Sequence, residues 1–221
     1  MPPGPRHETA RHTTPLPGVF LLKPGSIVRD DQGVVLDARS SVTLIASGRH
    51  KIVVDSGLAG EEELIVRALA ELGFRPQDAD MIVNTHSHPD HCGGNHLFSH
   101  ARKVEAKDGE TIAPHVSILA TPGHSEDSIS VMVRGRFVCP GREDERSGSS
   151  AVIVIAGDAL PTMGNFLKGV PPALHTDREL AVASMKKIIE TADIVVPGHD
   201  HPFSLRKKAY LQNSRKTDLC R

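Results

Sequence analysis

The chain has 221 residues, and 38% of them are apolar, which is enough to bury the core of one globular domain. Its 26 Lys and Arg residues balance 27 Asp and Glu residues to a formal net charge of −1, so overall charge does not attract it to nucleic acid or to an anionic membrane. Its apolar runs are far shorter than the ~20 residues that cross a bilayer, and no apolar signal segment precedes them, so we expect no membrane association.

Short runs of β-branched residues predict most of the secondary structure. Each run has the length of a strand and is bounded by Gly, Pro, Asp or Asn. The predicted strands lie at residues 34–36, 42–46, 51–54, 81–83, 116–120, 130–133, 151–156 and 193–196.

Two segments have helical spacing instead. Residues 61–72 open with three acids, which suit the positive end of a helix dipole, and residues 176–191 begin with Thr176 and Glu179 in the spacing of a capping box. A third, short helix is predicted to start near His91. The inward faces are predicted to hold Leu64, Ile65, Ala68, Leu69 and Leu72 in the first helix, and Leu180, Ala181, Ser184, Met185, Ile188 and Ile189 in the second.

Many strands with few helices between them predict a layered α/β (α+β) sandwich whose helices cover the outside. We expect a loose N-terminal arm at 1–17, one domain at 18–205 and a basic tail at 206–221. Segment 134–150 ends in a polar stretch typical of a hairpin loop. Segment 160–175 is a long loop with apolar side chains, which either plug a small core or line a substrate pocket.

The segment after the strand at 81–83 is the most informative part of the sequence. An extended chain points residues i and i+2 to the same side, so His86 and His88 can direct two imidazoles at one point beyond the strand. Asp90 and His91 follow where the chain turns toward a helix, and they can face a neighbouring point. A single histidine is usually a solvated side chain, but four ligand-type residues within six positions indicate metal binding.

Three later strands each end at a Gly or Pro turn that presents another ligand-type residue. These residues are His124, Asp158 and His199. Ligands at strand ends can converge on one rim of a sandwich. Asp55 ends a further strand without a histidine nearby, and it is either a carboxylate that orients the histidine-rich loop or a plain strand-terminating residue.

These motifs resemble those of the metallo-β-lactamase fold superfamily. The matching motifs are Thr-His-Ser-His-Pro-Asp-His at 85–91, Thr-Pro-Gly-His at 121–124, Ala-Gly-Asp at 156–158 and Val-Pro-Gly-His at 196–199. The resemblance extends from about Val19 to Phe203. It implies a four-layer αβ/βα sandwich, in which two mixed β-sheets pack face to face, helices flank them, and metal ions bind at one edge.

The resemblance also implies a role for each ligand-type residue. One metal would be held by His86, His88 and His124, a second by Asp90, His91 and His199, and Asp158 would bridge both. The implied cofactors are two divalent ions, with zinc expected and Fe or Mn compatible with the second ligand set. In such a site a water shared by the ions becomes a hydroxide near neutral pH, Asp158 carries the bridge, and Asp90 orients the hydroxide and carries a proton.

The implied activity is hydrolysis of an ester, thioester, lactone or phosphodiester bond. The β-lactamases place a non-bridging residue where Asp158 stands, so antibiotic hydrolysis is not expected. Acyl-homoserine lactonases use a tyrosine after the bridging aspartate, whereas the only tyrosine here, Tyr210, follows the last ligand. We expect a small-molecule substrate.

Three alternatives stay open at this point. One, which the same resemblance implies, is an endoribonuclease that cleaves single-stranded RNA; the basic C-terminal residues favour it, and the near-zero net charge and scarce aromatics oppose it. Another is a persulfide dioxygenase with one iron on His86, His124 and Asp158. A scaffold with a dead site predicts lost ligands, and none is missing.

The three cysteines bear on cellular location. Cys92, Cys139 and Cys220 are odd in number and widely spaced, which gives no disulfide framework and predicts a cytoplasmic protein. The thiol of Cys92, next to His91, is expected to pack in the first helical turn rather than to bind metal. A homodimer is also compatible with the sequence.

Overall fold

Thirteen strands and four α-helices are formed by residues 15–105, 107–138 and 150–205, the part of the chain described by the computed structural model. The strands are β1 Gly18–Lys23, β2 Ser26–Arg29, β3 Val35–Arg39, β4 Val42–Ser47, β5 His50–Val54, β6 Met81–Val83, β7 Arg102–Lys103, β8 Thr111–Ala113, β9 Val116–Ala120, β10 Ile129–Val138, β11 Ala151–Gly157, β12 Ile194–Pro197 and β13 Phe203–Ser204. The helices are α1 Glu62–Glu71, α2 Pro89–Cys92, α3 Met163–Lys168 and α4 Arg178–Thr191. The tail at 206–221, most of the predicted arm at 1–17 and most of the loop at 134–150 lie outside the described residues.

The strands form one mixed sheet and a separate hairpin. The sheet order is β13-β12-β11-β10-β1-β4-β5-β6-β7, with β9 also paired to β10 and β8 paired to β9. The pairs β1–β10, β5–β6, β6–β7 and β11–β12 are parallel, and the other pairs are antiparallel. The first part of β10 pairs with β9 and β11, whereas its end pairs with β1, so this strand joins two half-sheets. The hairpin consists of β2 and β3.

The two half-sheets pack face to face around the central core. One contributes Val19, Ile45, Ile52 and Val54, and the other contributes Val116, Ile118, Val131, Ile153 and Ile155. Each such aliphatic side chain stabilises the fold by roughly 1.5–3 kcal/mol when fully buried. On the outer faces, α1 packs on β4 and β5, and α4 packs on β11 and β12. The four-layer αβ/βα sandwich is therefore confirmed.

The helices correct several details of the sequence-based prediction. Leu64 and Leu180, predicted to face inward, are 55% and 46% exposed, because each lies one position outside the buried stripe of its helix. The N-cap of α4 is Asp177, whose carboxylate accepts the Leu180 N–H at 3.0 Å, whereas Thr176 donates to the Gly123 carbonyl instead. Within the described residues, no helix is long and apolar enough to cross a bilayer.

The strands and loops also differ from the prediction in length. Each predicted strand overlaps an observed one, but the strand predicted at 130–133 extends to Val138, where it pairs with β1. The segment at 160–175 contains the short helix α3, which begins after the N-cap Thr162 and ends at Gly169, a residue with φ of +63°. Glycine adopts this left-handed conformation at no steric cost, which explains the end of the helix.

The parallel pairs place strand ends from both half-sheets at one edge. In one half-sheet, β5 and β6 run side by side and lead into Asp55 and the histidine-rich segment. In the other, β11 and β12 run side by side and lead into Asp158 and His199. The carboxyl ends of neighbouring parallel strands meet at the same edge of a sheet, and this brings the ligand-type residues together.

Candidate metal centre

The histidine-rich segment turns sharply from a strand into a helix. The extended backbone of His88 is the N-cap of α2, and Pro89 takes the first helical position, where its missing N–H costs nothing. His86 lies in the bend at 85–87 and His88 has an extended backbone, while Asp90 and His91 lie in the helical turn. This change of conformation directs the two pairs of side chains at two adjacent points.

Three imidazole nitrogens meet at the first point, and we call their residues, His86, His88 and His124, the first ligand group. His88 Nδ1 lies 3.0 Å from His86 Nε2 and 3.0 Å from His124 Nε2. A ring nitrogen has either one proton or one lone pair, so His88 Nδ1 cannot form two normal hydrogen bonds with these partners. Zinc–nitrogen bonds of ~2.0–2.1 Å in a tetrahedral site place ligand nitrogens about 3.4 Å apart. The group therefore fits a cation of this size.

The second ligand group consists of Asp90, His91 and His199. Asp90 Oδ2 lies 3.8 Å from His91 Nε2 and 3.5 Å from His199 Nε2. The three ligand atoms are all within 4.8 Å of one another, and both imidazoles are buried. One oxygen and two nitrogens form a donor set that accepts Zn, Fe or Mn.

Asp158 lies between the two groups. Its Oδ2 is 3.5 Å from His124 Nε2 in the first group, while its Oδ1 is 3.4 Å from His91 Nε2 and 3.1 Å from His199 Nε2 in the second. One carboxylate thus faces nitrogens of both groups, which is the arrangement of a bridging ligand. All seven predicted ligands are brought together, and their role in binding metal stays a prediction.

Two buried polar atoms at this centre have no hydrogen-bond partner in the described part of the chain, and they show whether a metal ion fits there. His91 Nε2 and Asp158 Oδ1 are fully buried, and neither has a hydrogen-bond partner among the described residues. An unsatisfied buried polar atom costs about 1–3 kcal/mol, so natural proteins rarely retain one without a partner. A cation contacting both atoms would satisfy them, and the residues present therefore fit the metals that the sequence predicts.

Partners of the remote ring nitrogens fix which nitrogen faces the centre. Nδ1 of His91 lies 2.8 Å from Asp55 Oδ2, Nδ1 of His124 lies 2.7 Å from the Leu174 carbonyl oxygen, and Nδ1 of His199 lies 3.0 Å from the Arg39 carbonyl oxygen. Each partner is an acceptor, so each Nδ1 carries a proton and Nε2 is the nitrogen left to bind a cation.

Asp55 orients the histidine-rich segment directly. Its carboxylate accepts the Thr85 N–H at 2.7 Å and the Thr85 hydroxyl at 2.8 Å, in addition to His91 Nδ1. The residue is 1% exposed and has φ of +56°, an uncommon conformation for a residue with a side chain. Of the two interpretations from the sequence, these contacts favour the orienting carboxylate.

Burial and charge give the centre a distinctive electrostatic pattern. Burial lowers the pKa of His86 to about 2, so this imidazole is neutral and can act as a ligand. Burial opposes the charged form of His91, but the carboxylates of Asp55 and Asp158 outweigh it and raise the pKa of His91 well above its ordinary value. Burial would raise the pKa of Asp158, yet a hydrogen bond from His199 to Oδ2 and the charges of the His91 and His199 imidazoles lower it well below its ordinary value. The centre thus combines neutral and charge-paired ligands.

The sequence did not reveal every residue that supports the centre. The carbonyls of Arg39 and Leu174 orient two ligands, and no side-chain pattern predicts a backbone contact between distant segments. The Cys92 thiol contacts the backbone carbonyl oxygens of Ser87 and His88, at 3.5 and 3.2 Å, rather than any ligand atom of the two groups.

Comparisons with known proteins agree with this arrangement. The sequence pattern of the metallo-beta-lactamase superfamily matches residues 36–115. A protein of Methanocaldococcus jannaschii named a probable metallo-hydrolase is 33% identical over 198 residues, which cover 82% of this chain and 86% of that protein. Metallo-beta-lactamase domain-containing protein 1 of Xenopus laevis is 30% identical over 201 residues, which cover 83% of this chain and 80% of that protein.

A solved structure has the same fold. The crystal structure of a Bacillus thuringiensis AiiA mutant, with N-decanoyl-L-homoserine bound at its active site, matches with a TM-score of 0.62 and 21% identity. The match covers 85% of this chain and 94% of that chain.

Proposed function

The chain is a metallo-hydrolase of the metallo-β-lactamase superfamily, and we propose that it uses two divalent cations to hydrolyse a carboxylic ester, thioester or lactone. The observation that carries the proposal is the position of Asp158, whose two oxygens face nitrogens of different ligand groups at 3.1–3.5 Å. The first ligand group would hold one cation, the second group the other, and Asp158 both.

The bound cations would supply Lewis acidity, which lowers the pKa of a water toward ~7 and polarises the oxygen of the scissile bond. Asp90 would serve as the proton carrier, because its side chain is 18% exposed while that of Asp158 is 11% exposed. Asp90 accepts the proton of the attacking water and donates it to the leaving alkoxide or thiolate. Asp158, held by His91 and His199, stays ionised throughout.

Exposed apolar side chains on two segments that orient the ligands support a small organic substrate. Leu174, whose carbonyl binds His124, has a side chain that is 66% exposed. Leu36 is 65% exposed and lies on β3. This strand ends at Arg39, whose carbonyl binds His199. Exposed leucines on segments attached to both ligand groups favour a substrate with an apolar body over a phosphate chain.

Elemental analysis followed by a substrate panel tests the proposal. We expect two equivalents of zinc, or of Fe or Mn, per chain, and metal-dependent hydrolysis of a 4-nitrophenyl ester, an acyl thioester or an N-acyl homoserine lactone. The last probe is included because of the ligand in the Bacillus thuringiensis structure. A single iron with oxygen uptake on glutathione persulfide would contradict the proposal in favour of the dioxygenase. Cleavage restricted to bis-4-nitrophenyl phosphate and single-stranded RNA, lost as salt rises, would favour the nuclease.

A further inference from the structure

A buried carboxylate outside the ligand set connects two supports of the second ligand group. Glu61 immediately precedes α1, and its side chain is only 3% exposed. In the sequence it is the first of three acids that suit a helix dipole, yet its side chain does not cap the helix. It bonds instead to three neighbouring segments of the chain.

One oxygen of Glu61 binds the base of the β2–β3 hairpin and the end of β1. Oε1 lies 3.3 Å from the guanidinium Nη1 of Arg39 and 3.2 Å from Nζ of Lys23. The backbone carbonyl of the same Arg39 accepts the His199 Nδ1–H at 3.0 Å. Glu61 thus restrains the residue that orients His199.

The other oxygen of Glu61 binds the loop that carries Asp55. Oε2 accepts the Leu58 N–H at 2.9 Å, and a Cβ at Gly57 would lie only 2.8 Å from it, so the loop is closely fitted to this carboxylate. Asp55, three residues earlier, holds His91 Nδ1 at 2.8 Å. Both imidazoles of the second ligand group are therefore oriented by segments that Glu61 holds.

The first ligand group has different supports. His124 is oriented by the Leu174 carbonyl, and His86 Nδ1 lies 3.2 Å from the Thr85 hydroxyl. Neither contact involves Glu61, Arg39 or Leu58, but the Thr85 hydroxyl donates to Asp55 Oδ2, so the first ligand group is linked to the 55–58 loop through one further residue. The connection to Glu61 is therefore shorter for the second proposed cation than for the first.

We propose that Glu61 is a positioning residue for the second cation, acting through Arg39 on His199 and through the 55–58 loop on His91. This inference rests on the proposed two-cation site. Its function would be to hold two imidazoles in the geometry of a bound ion, so that binding does not have to order them.

The test compares zinc binding to the metal-free full chain in the unaltered protein, Glu61→Gln and Glu63→Gln, by competition with a chromophoric chelator. Glu63 is the matched control, because it is a neighbouring acid that is 92% exposed and has a weak surface pairing with Arg67 at 3.9 Å. A His199→Ala variant identifies the equivalent that belongs to the second ligand group. We expect Glu61→Gln to weaken that equivalent about tenfold and to weaken the other much less, while Glu63→Gln resembles the unaltered chain.

The outcomes separate this inference from the proposed function. An unaltered chain that binds two equivalents, together with a Glu61→Gln variant that loses affinity for both equally or for neither, overturns the positioning role alone. An unaltered chain that binds fewer than two equivalents overturns both. If Glu61→Gln does not fold, the Arg39→Met variant replaces it in the test. The Arg39 side chain is 41% exposed, and the substitution keeps the backbone carbonyl that binds His199. Unchanged affinity for the second equivalent in Arg39→Met then overturns the inference.

Discussion

Replacing Asp55 with Asn should weaken the binding of a cation by His91, although Asp55 is not itself a proposed ligand. Asn is the most informative replacement because it preserves the shape of the side chain and tolerates the φ of +56° at this position. The amide oxygen can keep the Thr85 N–H, which places the amide NH₂ where Oδ2 now accepts from His91 Nδ1. Two donors then face each other, so His91 must move its proton to Nε2, the nitrogen that faces the centre.

The expected magnitude follows from this change of tautomer. Loss of a carboxylate that orients a metal-bound histidine lowers metal affinity about 10–100-fold, equivalent to roughly 1.4–2.8 kcal/mol. The metal-free protein should also lose about 1.5–3 kcal/mol of unfolding free energy, because a charge-assisted hydrogen bond is removed from a buried site. Chelator competition measures the first quantity and urea denaturation the second.

The control is a second carboxylate in the same half-sheet. Asp80→Asn alters an exposed carboxylate that accepts the Lys51 N–H at 2.7 Å at the opposite end of the same half-sheet, and it should leave metal affinity unchanged. Nitrogen NMR of labelled histidine reports the tautomer of His91 directly. If Asp55→Asn binds zinc as tightly as the unaltered chain, or if His91 keeps its proton on Nδ1, then Asp55 does not control this ligand.

Three further predictions concern the same centre. Asp158→Ala should abolish turnover and weaken retention of both cations in elemental analysis, and full activity in this variant would mean that the bridge is wrongly assigned. Gly198→Ala should lower metal affinity although no ligand is changed, because a Cβ at Gly198 would overlap Asp158 Oδ1. The control Gly164→Ala should leave metal affinity unchanged, because its Cβ would meet only the Thr162 hydroxyl at 3.3 Å. Despite burial, the carboxylates of Asp55 and Asp158 raise the pKa of His91, so in the metal-free protein this ring keeps a proton that a cation must displace. Zinc affinity should therefore rise with pH by up to about tenfold per unit until the raised pKa of His91 is passed. Proton release on zinc addition measures this effect. An affinity independent of pH between about 6 and about 8 would contradict the prediction.

The convergence of the seven ligand-type residues could be predicted from the sequence, because local geometry places them at one edge. Two histidines at i and i+2 on an extended chain, and ligand residues at strand ends, need only the period of a strand and the convergence of parallel ends. The supports of those ligands could not be predicted in the same way. Arg39 and Leu174 act through backbone carbonyls, and Glu61 has the local sequence of an ordinary helix start, so only the tertiary fold reveals their contacts.

The fold was predictable to a similar depth. Alternating β-branched runs located the central strands, but the extension of β10 to Val138 depends on pairing with β1, more than 100 residues earlier in the sequence. The inward faces of α1 and α4 were right for Ile65 and Ile188 and wrong for Leu64 and Leu180. Amphipathic spacing defines a stripe, and the angle at which the helix meets the sheet decides which residue at its border is covered.

The ligand groups draw on both half-sheets, and this has a mechanical consequence. The histidine-rich segment follows β6 in one half-sheet, whereas His124, Asp158 and His199 follow strands of the other. A cation bound across them would cross-link the two faces of the sandwich at that edge and resist sliding between them. The β2–β3 hairpin and the segment around Leu174 supply none of the proposed ligands, so such a cross-link would not join them directly.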